Sequence, residues 1–184
     1  MADQRLLADI GGNMTRIQID TRQQVGKHTN IDSWFDSHGI EYFYQKLDFG
    51  DYAEVDNGGN IVVDSKQDMQ EVAGNVGHDH ARFVRECDRA AEAGYRLYIL
   101  VEEHPEYADR DLLATWVSGV CRRCRKCDPL ESKCVARRLK PLNGPTLRKI
   151  IDRIEYDHGA RFLFCDKRDT ARVICELLGV KFEE

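Results

Sequence analysis

Two hydrophobic periods alternate along this chain: short runs in which every second residue is apolar, and longer stretches with apolar residues at three- and four-residue steps. The first kind predicts half-buried strands, the second amphipathic helices. Residues 16–20 alternate and read as a strand. Ile31, Trp34 and Phe35 fall at helical spacing over 30–37, and Gly39 sits where that helix would stop. A second strand is expected over 40–47. Two short apolar-rich runs follow, 50–55 and 60–66, on either side of Asp56-Asn57-Gly58-Gly59, which is the pattern of a hairpin. Asp68 or a neighbour caps a short helix that Gly77 ends. A longer helix begins at Asp79, with Phe83, Val84, Cys87, Ala90 and Ala91 on one stripe, and runs to Gly94. The continuous apolar run Leu97-Tyr98-Ile99-Leu100-Val101 reads as a strand covered on both faces. Beyond it are a helix over 109–119, a cysteine-rich basic segment, and a helix opened by Asn143-Gly144-Pro145-Thr146 that reaches His158. A strand over 161–165 and a helix over 170–178 close the chain. This order predicts an α/β fold, a central mixed sheet in α/β/α layers. It forms one domain over 15–184, with a polar, flexible N-terminus at 1–14.

Chemistry concentrates at the hairpin. With Val55 facing Asn60 across the loop, the antiparallel register sets Asp51 opposite Asp64, their Cβ atoms about 4.5–5.5 Å apart. Lys66 lies two residues beyond Asp64 and so points to the same face. Asp20 ends the first strand, and Glu102 ends the buried one. Two carboxylates and a lysine converging on one face suit a divalent cation and phosphodiester hydrolysis. The cation needs hard oxygen ligands, and a lysine can orient water or stabilise growing negative charge.

The composition, 42% hydrophobic and 32% charged over 184 residues, places the chain among globular rather than disordered proteins. No apolar run is long enough to span a bilayer, and the first residues lack the apolar core of a signal peptide, so a cytoplasmic location is expected. The seven cysteines are then expected as thiols or metal ligands rather than disulfides. Net charge is −5, yet residues 121–140 carry eight basic side chains against two acidic ones. Arginine predominates there and suits phosphate geometry, so this segment is expected to touch nucleic acid. No phosphate-binding Gly-x4-Gly-Lys loop or Ser-His-Asp arrangement is present.

Ile19-Asp20-Thr21-Arg22-Gln23, Gly50-Asp51-Tyr52 and Asp64-Ser65-Lys66 follow one another in an order that resembles the XPF-type nuclease family, whose core is restriction-endonuclease-like. In that family the three elements are Val-Asp-x-Arg-Glu, Gly-Asp, and Glu-Arg-Lys followed after three residues by Asp. Arg82-Phe83 and the strand ending Leu100-Val101-Glu102 also fall in family order. The resemblance implies a metal-dependent DNA endonuclease using Mg²⁺ or Mn²⁺, held by Asp20, Asp51 and Asp64, with Lys66 as catalytic lysine. Arg22 would face phosphate or serve the structure, and Arg82 would contact substrate. It also implies a branched, flap or single-stranded DNA substrate, and pairing with a second copy or a partner protein. Four departures stand out. Gln23 replaces the early family glutamate, aspartate replaces the family glutamate at Asp64, Ser65 replaces the arginine of Glu-Arg-Lys, and Gln70 stands where the final Asp would be. No tandem helix-hairpin-helix module follows, so the chain resembles the compact versions that phages and bacteria encode. A non-catalytic DNA-binding or scaffold module of the same fold is the first alternative.

Cys121-x2-Cys124-x2-Cys127-x6-Cys134 places four thiols within the basic segment, an insertion at about 119–141. Tetrahedral zinc accepts four thiolates. An iron–sulfur cluster is the second reading, although the last spacing departs from the ferredoxin pattern, and free thiols are the third. A metal there would fold a polar loop and present Arg122, Arg123, Arg125 and Lys126 to DNA. Were this cluster the main functional site, the protein would be a small zinc-binding interaction module. Cys87, Cys165 and Cys175 lie on apolar stripes and are expected in the core.

Overall fold

The computed structural model describes residues 15–22, 29–131 and 133–183. The segment 1–14, expected to be flexible, lies outside the described residues, as does Gln23. The chain runs β1 (Ile17–Ile19), α1 (Thr29–Ser37), β2 (Tyr42–Tyr44), β3 (Tyr52–Glu54) and β4 (Ile61–Lys66), then α2 (Met69–Gly77), α3 (His80–Glu92) and β5 (Arg96–Val101). It continues through α4 (Arg110–Ala114), α5 (Gly119–Cys124), α6 (Gly144–His158), β6 (Arg161–Phe164) and α7 (Thr170–Leu178).

One six-stranded sheet has the order β2-β1-β3-β4-β5-β6. β1, β3 and β4 form an antiparallel meander, while β2 pairs parallel to β1, and β5 and β6 continue parallel from β4. The sheet is therefore mixed, as expected. Alternation along the strands divides the core into two layers. Ala53, Val62, Ile99 and Val101 face Val72, Phe83, Leu147 and Ile151 of α2, α3 and α6. Ile17, Tyr52, Val63 and Leu100 face Phe35 of α1 and Ile174 of α7. Cys87, Cys165 and Cys175 are buried in these layers, and burial pushes Cys87 and Cys175 up to about 12. No described helix is long and apolar enough to cross a membrane.

Local signals set most boundaries. The Asp68 side chain accepts the Glu71 amide at the start of α2, and Asn143 accepts the Thr146 amide at the start of α6. The strand expected over 40–47 pairs only at Tyr42–Tyr44. The helix expected over 109–119 is instead two short ones, with Trp116 buried between them. The reason is a close crossing with α6. The Gly144 amide donates to the Trp116 carbonyl at 2.9 Å, and a Cβ on Gly144 would lie 2.3 Å from the Ala114 carbonyl oxygen. A continuous helix would have to pass through that contact.

Candidate active site

The β3–β4 register pairs Tyr52 with Val63 and Ala53 with Val62, the register that the hairpin spacing predicts; the ladder ends there, and the Asp51 amide donates to the Val63 carbonyl at 2.7 Å, next to Asp64. Gly50 makes this approach possible. Its φ is +63°, and a Cβ there would lie 2.9 Å from the Val63 carbonyl oxygen, so a side chain would push the two strands apart. By the period of two, Asp51, Asp64 and Lys66 share the sheet face covered by α2 and α3.

Each polar side chain is held. Ser65 donates its backbone N–H and its hydroxyl to Asp51 Oδ2, both at 2.9 Å. Lys66 Nζ forms an ion pair with Asp64 Oδ1, and both side chains are about nine-tenths buried. Burial drives the Asp64 carboxyl up to about 7, with neighbouring Asp51 and Glu86 adding to the rise and Lys66 opposing it. Burial works against the Lys66 ammonium, but Asp64 and Asp51 outweigh it and hold its pKa above the usual lysine value. Lys66 is thus a buried cation fixed by two carboxylates, one of them ready to accept or lose a proton near neutrality.

Lys66 and Asp51 open onto a polar cavity of about 320 Å³, which Glu71, Glu102 and Lys167 also line. It lies at the carboxyl ends of parallel β4, β5 and β6, where ligands collect in open α/β sheets. Glu102 is nine-tenths buried, with Lys167 Nζ 3.6 Å from its Oε2. Glu71 reaches back to accept the Gln67 amide at 2.8 Å, one residue before the N-cap, while Asp68 accepts the Glu71 amide, a variant of the capping box. Glu71 carried a sequence signal in that Asp-x-x-Glu box. Lys167 carried none, because the turn after β6 meets the site only through the sheet.

Asp20 is placed differently. It is buried at the end of β1, where Arg22 Nε donates to its Oδ2 at 2.6 Å and the Arg22 amide to its Oδ1 at 3.1 Å. Burial would raise the Asp20 carboxyl, but these Arg22 contacts and the Leu47 amide hold it below the usual value. Arg22 also donates to the Leu47 carbonyl at 2.7 Å, so the pair ties β1 to the irregular segment between β2 and β3, and neither residue lines the cavity. Arg82 stands exposed at the start of α3, against Asp79 and Asn75, and does not line the cavity either.

Gln70, standing where the resemblance places an aspartate, accepts the Ser118 hydroxyl at 3.1 Å and the Gly119 amide at 3.2 Å. It docks the start of α5 onto α2. Arg122 and Arg123 of α5 therefore line a second groove, of about 430 Å³, with Asp68 and Gln70. Arg125 and Lys126 lie exposed just beyond α5. Of the four cysteines, Cys121 is within electrostatic reach of the other three, and the Cys127 and Cys134 thiols are hydrogen-bonded. Burial raises the Cys121 thiol, whereas the Ala136 amide above all, with Arg137, Cys127 and Lys140, lowers that of Cys134.

The cavity's carboxylates are the hard oxygen donors that Mg²⁺ or Mn²⁺ prefers. Among the described residues, no three His, Cys, Asp or Glu side chains are already gathered closely enough to hold an ion.

Comparison with known proteins follows the same lines. The ERCC4 domain family matches residues 19–177. XPF from Aeropyrum pernix superposes with a TM-score of 0.57 at 22% identity, over 89% of this chain and 63% of that one. The structure of Aeropyrum pernix XPF in complex with DNA matches with the same TM-score and identity, over 90% and 64%. The chain thus spans just under two thirds of the XPF chains it resembles. No curated protein matches the sequence. The family match runs from the end of β1 into α7 and takes in the hairpin, Asp64-Ser65-Lys66 and the cavity that Ser65 and Lys66 line, so the chain belongs to the ERCC4 domain family, an XPF-type nuclease domain with the restriction-endonuclease-like fold.

Proposed function

We propose that this protein is a divalent-metal-dependent DNA endonuclease, and the observation that carries the reading is Asp51 and Lys66 lining one polar cavity, with Asp64 buried behind it on Lys66. The cation would be held by Asp51 and Asp64, with Glu102 across the cavity. When bound, it supplies Lewis acidity to a phosphoryl oxygen and lowers the pKa of water. The chain's own residues do the rest. Ser65 fixes the direction of Asp51. Lys66, kept charged by its carboxylates, stabilises negative charge growing on the phosphate. Lys167 offers a second cation at the cavity wall. Asp20 joins the ligand set only by releasing Arg22, so its place in the proposal is the outermost. DNA as substrate draws support from the family, from the basic segment beside the cavity, and from the likeness to an XPF solved with DNA. The pairing of domains that the family resemblance implies extends the proposal to a homodimer or a partner protein, read from the mass of the cleaving species.

The test is incubation of labelled duplex, flap and single-stranded DNA with Mg²⁺, Mn²⁺ or EDTA. Hydrolysis of at least one substrate with either metal and none in EDTA is expected. A second reading, a non-catalytic DNA-binding module of the same fold, is favoured by the engagement of Asp20 with Arg22 and of Asp64 with Lys66. It predicts DNA binding indifferent to the metals, with no cleavage.

A further inference from the structure

Between Arg125 and Asn143 the described residues form no helix or strand. Leu142 at the end of this segment packs on the core, but Val135 and Leu139 do not, at 77% and 79% exposed. A stretch this long without regular structure is uncommon in a compact domain and needs some other constraint. The contacts at its base are few. Lys140 Nζ donates to the Asp128 carbonyl and Asn143 Nδ2 to the Leu130 carbonyl, both at 2.6 Å.

The cysteines are arranged around this gap. Cys121 and Cys124 stand three apart on α5 and so share a helix face. Arg125 then takes a left-handed conformation, φ 53°, and is the one non-glycine among the described residues with a positive φ. That conformation is unfavourable for a residue with a side chain. It turns the chain so that Cys127 follows closely and meets the Cys134 sulfur. Backbone amides of Ala136 and Arg137 donate to that sulfur, a setting suited to a ligand carrying negative charge. Four thiolates on Zn²⁺ leave two negative charges, and eight basic residues in 121–140 surround them.

We infer that Cys121, Cys124, Cys127 and Cys134 form a structural zinc site that folds the segment after α5 and fixes its arginines beside the cavity. The thiols are neighbours without yet closing on a point. Zinc–sulfur bonds of about 2.3 Å would draw them together, and a loop with no core of its own can follow. The site acts at a distance from hydrolysis, through the docking of α5 on Gln70. It stands independently of the nuclease reading.

The experiment measures metal content in the full chain, purified without added metal. One zinc per chain is expected. Exchange for Co²⁺ should give the thiolate charge-transfer and tetrahedral d–d absorption of a four-sulfur site. Cys134→Ser and Cys124→Ser should each lose the metal, while Cys87→Ser, altered in the core beneath α3, keeps it. Should the serine variants fail to fold, the wild-type stoichiometry and cobalt spectrum still decide. Wild type that binds neither zinc nor cobalt, or that carries iron with acid-labile sulfide, overturns the inference. Asp64→Asn should retain its zinc in full, so a protein that holds zinc without cutting DNA would sink the nuclease reading alone.

Discussion

The two polar regions of this molecule place their charges by opposite means. At the carboxyl end of the sheet, Asp51, Asp64 and Lys66 are fixed by strand register, by the Gly50 turn and by hydrogen bonds from Ser65. Asp64 and Lys66 lie on regular strand backbone with their side chains about nine-tenths buried, and burial raises the Asp64 carboxyl. In the segment from Arg125 to Asn143 the charges are more numerous but exposed, and no ladder of hydrogen bonds holds them. A buried group has fixed geometry and a strong field, as catalysis of a charged reaction requires. An exposed arginine cluster gives attraction without geometry, as phosphate binding tolerates. Under the proposed nuclease function, the contrast gives turnover to the first region and affinity to the second.

That assignment can be broken by substitutions that move the wrong quantity. The largest effect is expected from Lys66→Ala, which removes the buried cation. Turnover should fall on the order of a hundred- to a thousandfold, with DNA affinity little changed in a gel-shift titration. A matching loss of affinity would erase the division of labour.

The next effect is on stability. Burial raises the folded-state Asp64 pKa from 3.8 to about 7, so between those values the folded protein binds the proton that the unfolded chain has released. The metal-free protein is therefore stabilised by protonated Asp64 at low pH. That contribution is lost as pH rises from about 4 through 7, by a few kcal/mol at most at about 1.4 kcal/mol per unit. Urea midpoints across this range should fall more steeply for wild type than for Asp64→Asn, and equal slopes would contradict the burial argument.

In the basic segment, the double substitution Arg122→Ala, Arg123→Ala should weaken binding to all DNA sequences alike. It should make the plot of log affinity against log salt shallower by about 2, roughly 1 for each phosphate that an arginine no longer neutralises. Turnover at saturating DNA should be unchanged. The smallest effect is expected from Ser65→Ala. It removes one of two hydrogen bonds to Asp51 and keeps the backbone one, so a loss worth about 1 kcal/mol, or less than tenfold in turnover, is expected in single-turnover assays.

What the sequence made legible divides along the same line. The register of Tyr52 against Val63 was readable because a polar glycine-rich loop and two alternating runs fix both the turn and the faces. Cap positions were readable because Asp68 and Asn143 act on amides only three residues away. The inner order of the hairpin loop was not. Buried Glu54 organises it by accepting the Asp56, Asn57 and Gly59 amides, which nothing in the alternation announces. Lys167 was hidden for a related reason: it reaches the cavity from a turn about a hundred residues beyond Lys66, through strand order alone. The break at 115–118 was concealed because its cause, the crossing at Gly144, lies in another element. Gln70, a departure from the family pattern when read in sequence, gains a role once α5 is seen docked upon it.

The most direct test of the central claim sets cleavage and binding side by side for wild type and Asp64→Asn, on the same labelled DNA, in Mg²⁺. The account predicts that both proteins bind with similar affinity and that only wild type cuts. Cleavage by the variant at the wild-type rate, or binding without cleavage by both in Mg²⁺ and in Mn²⁺, would contradict it.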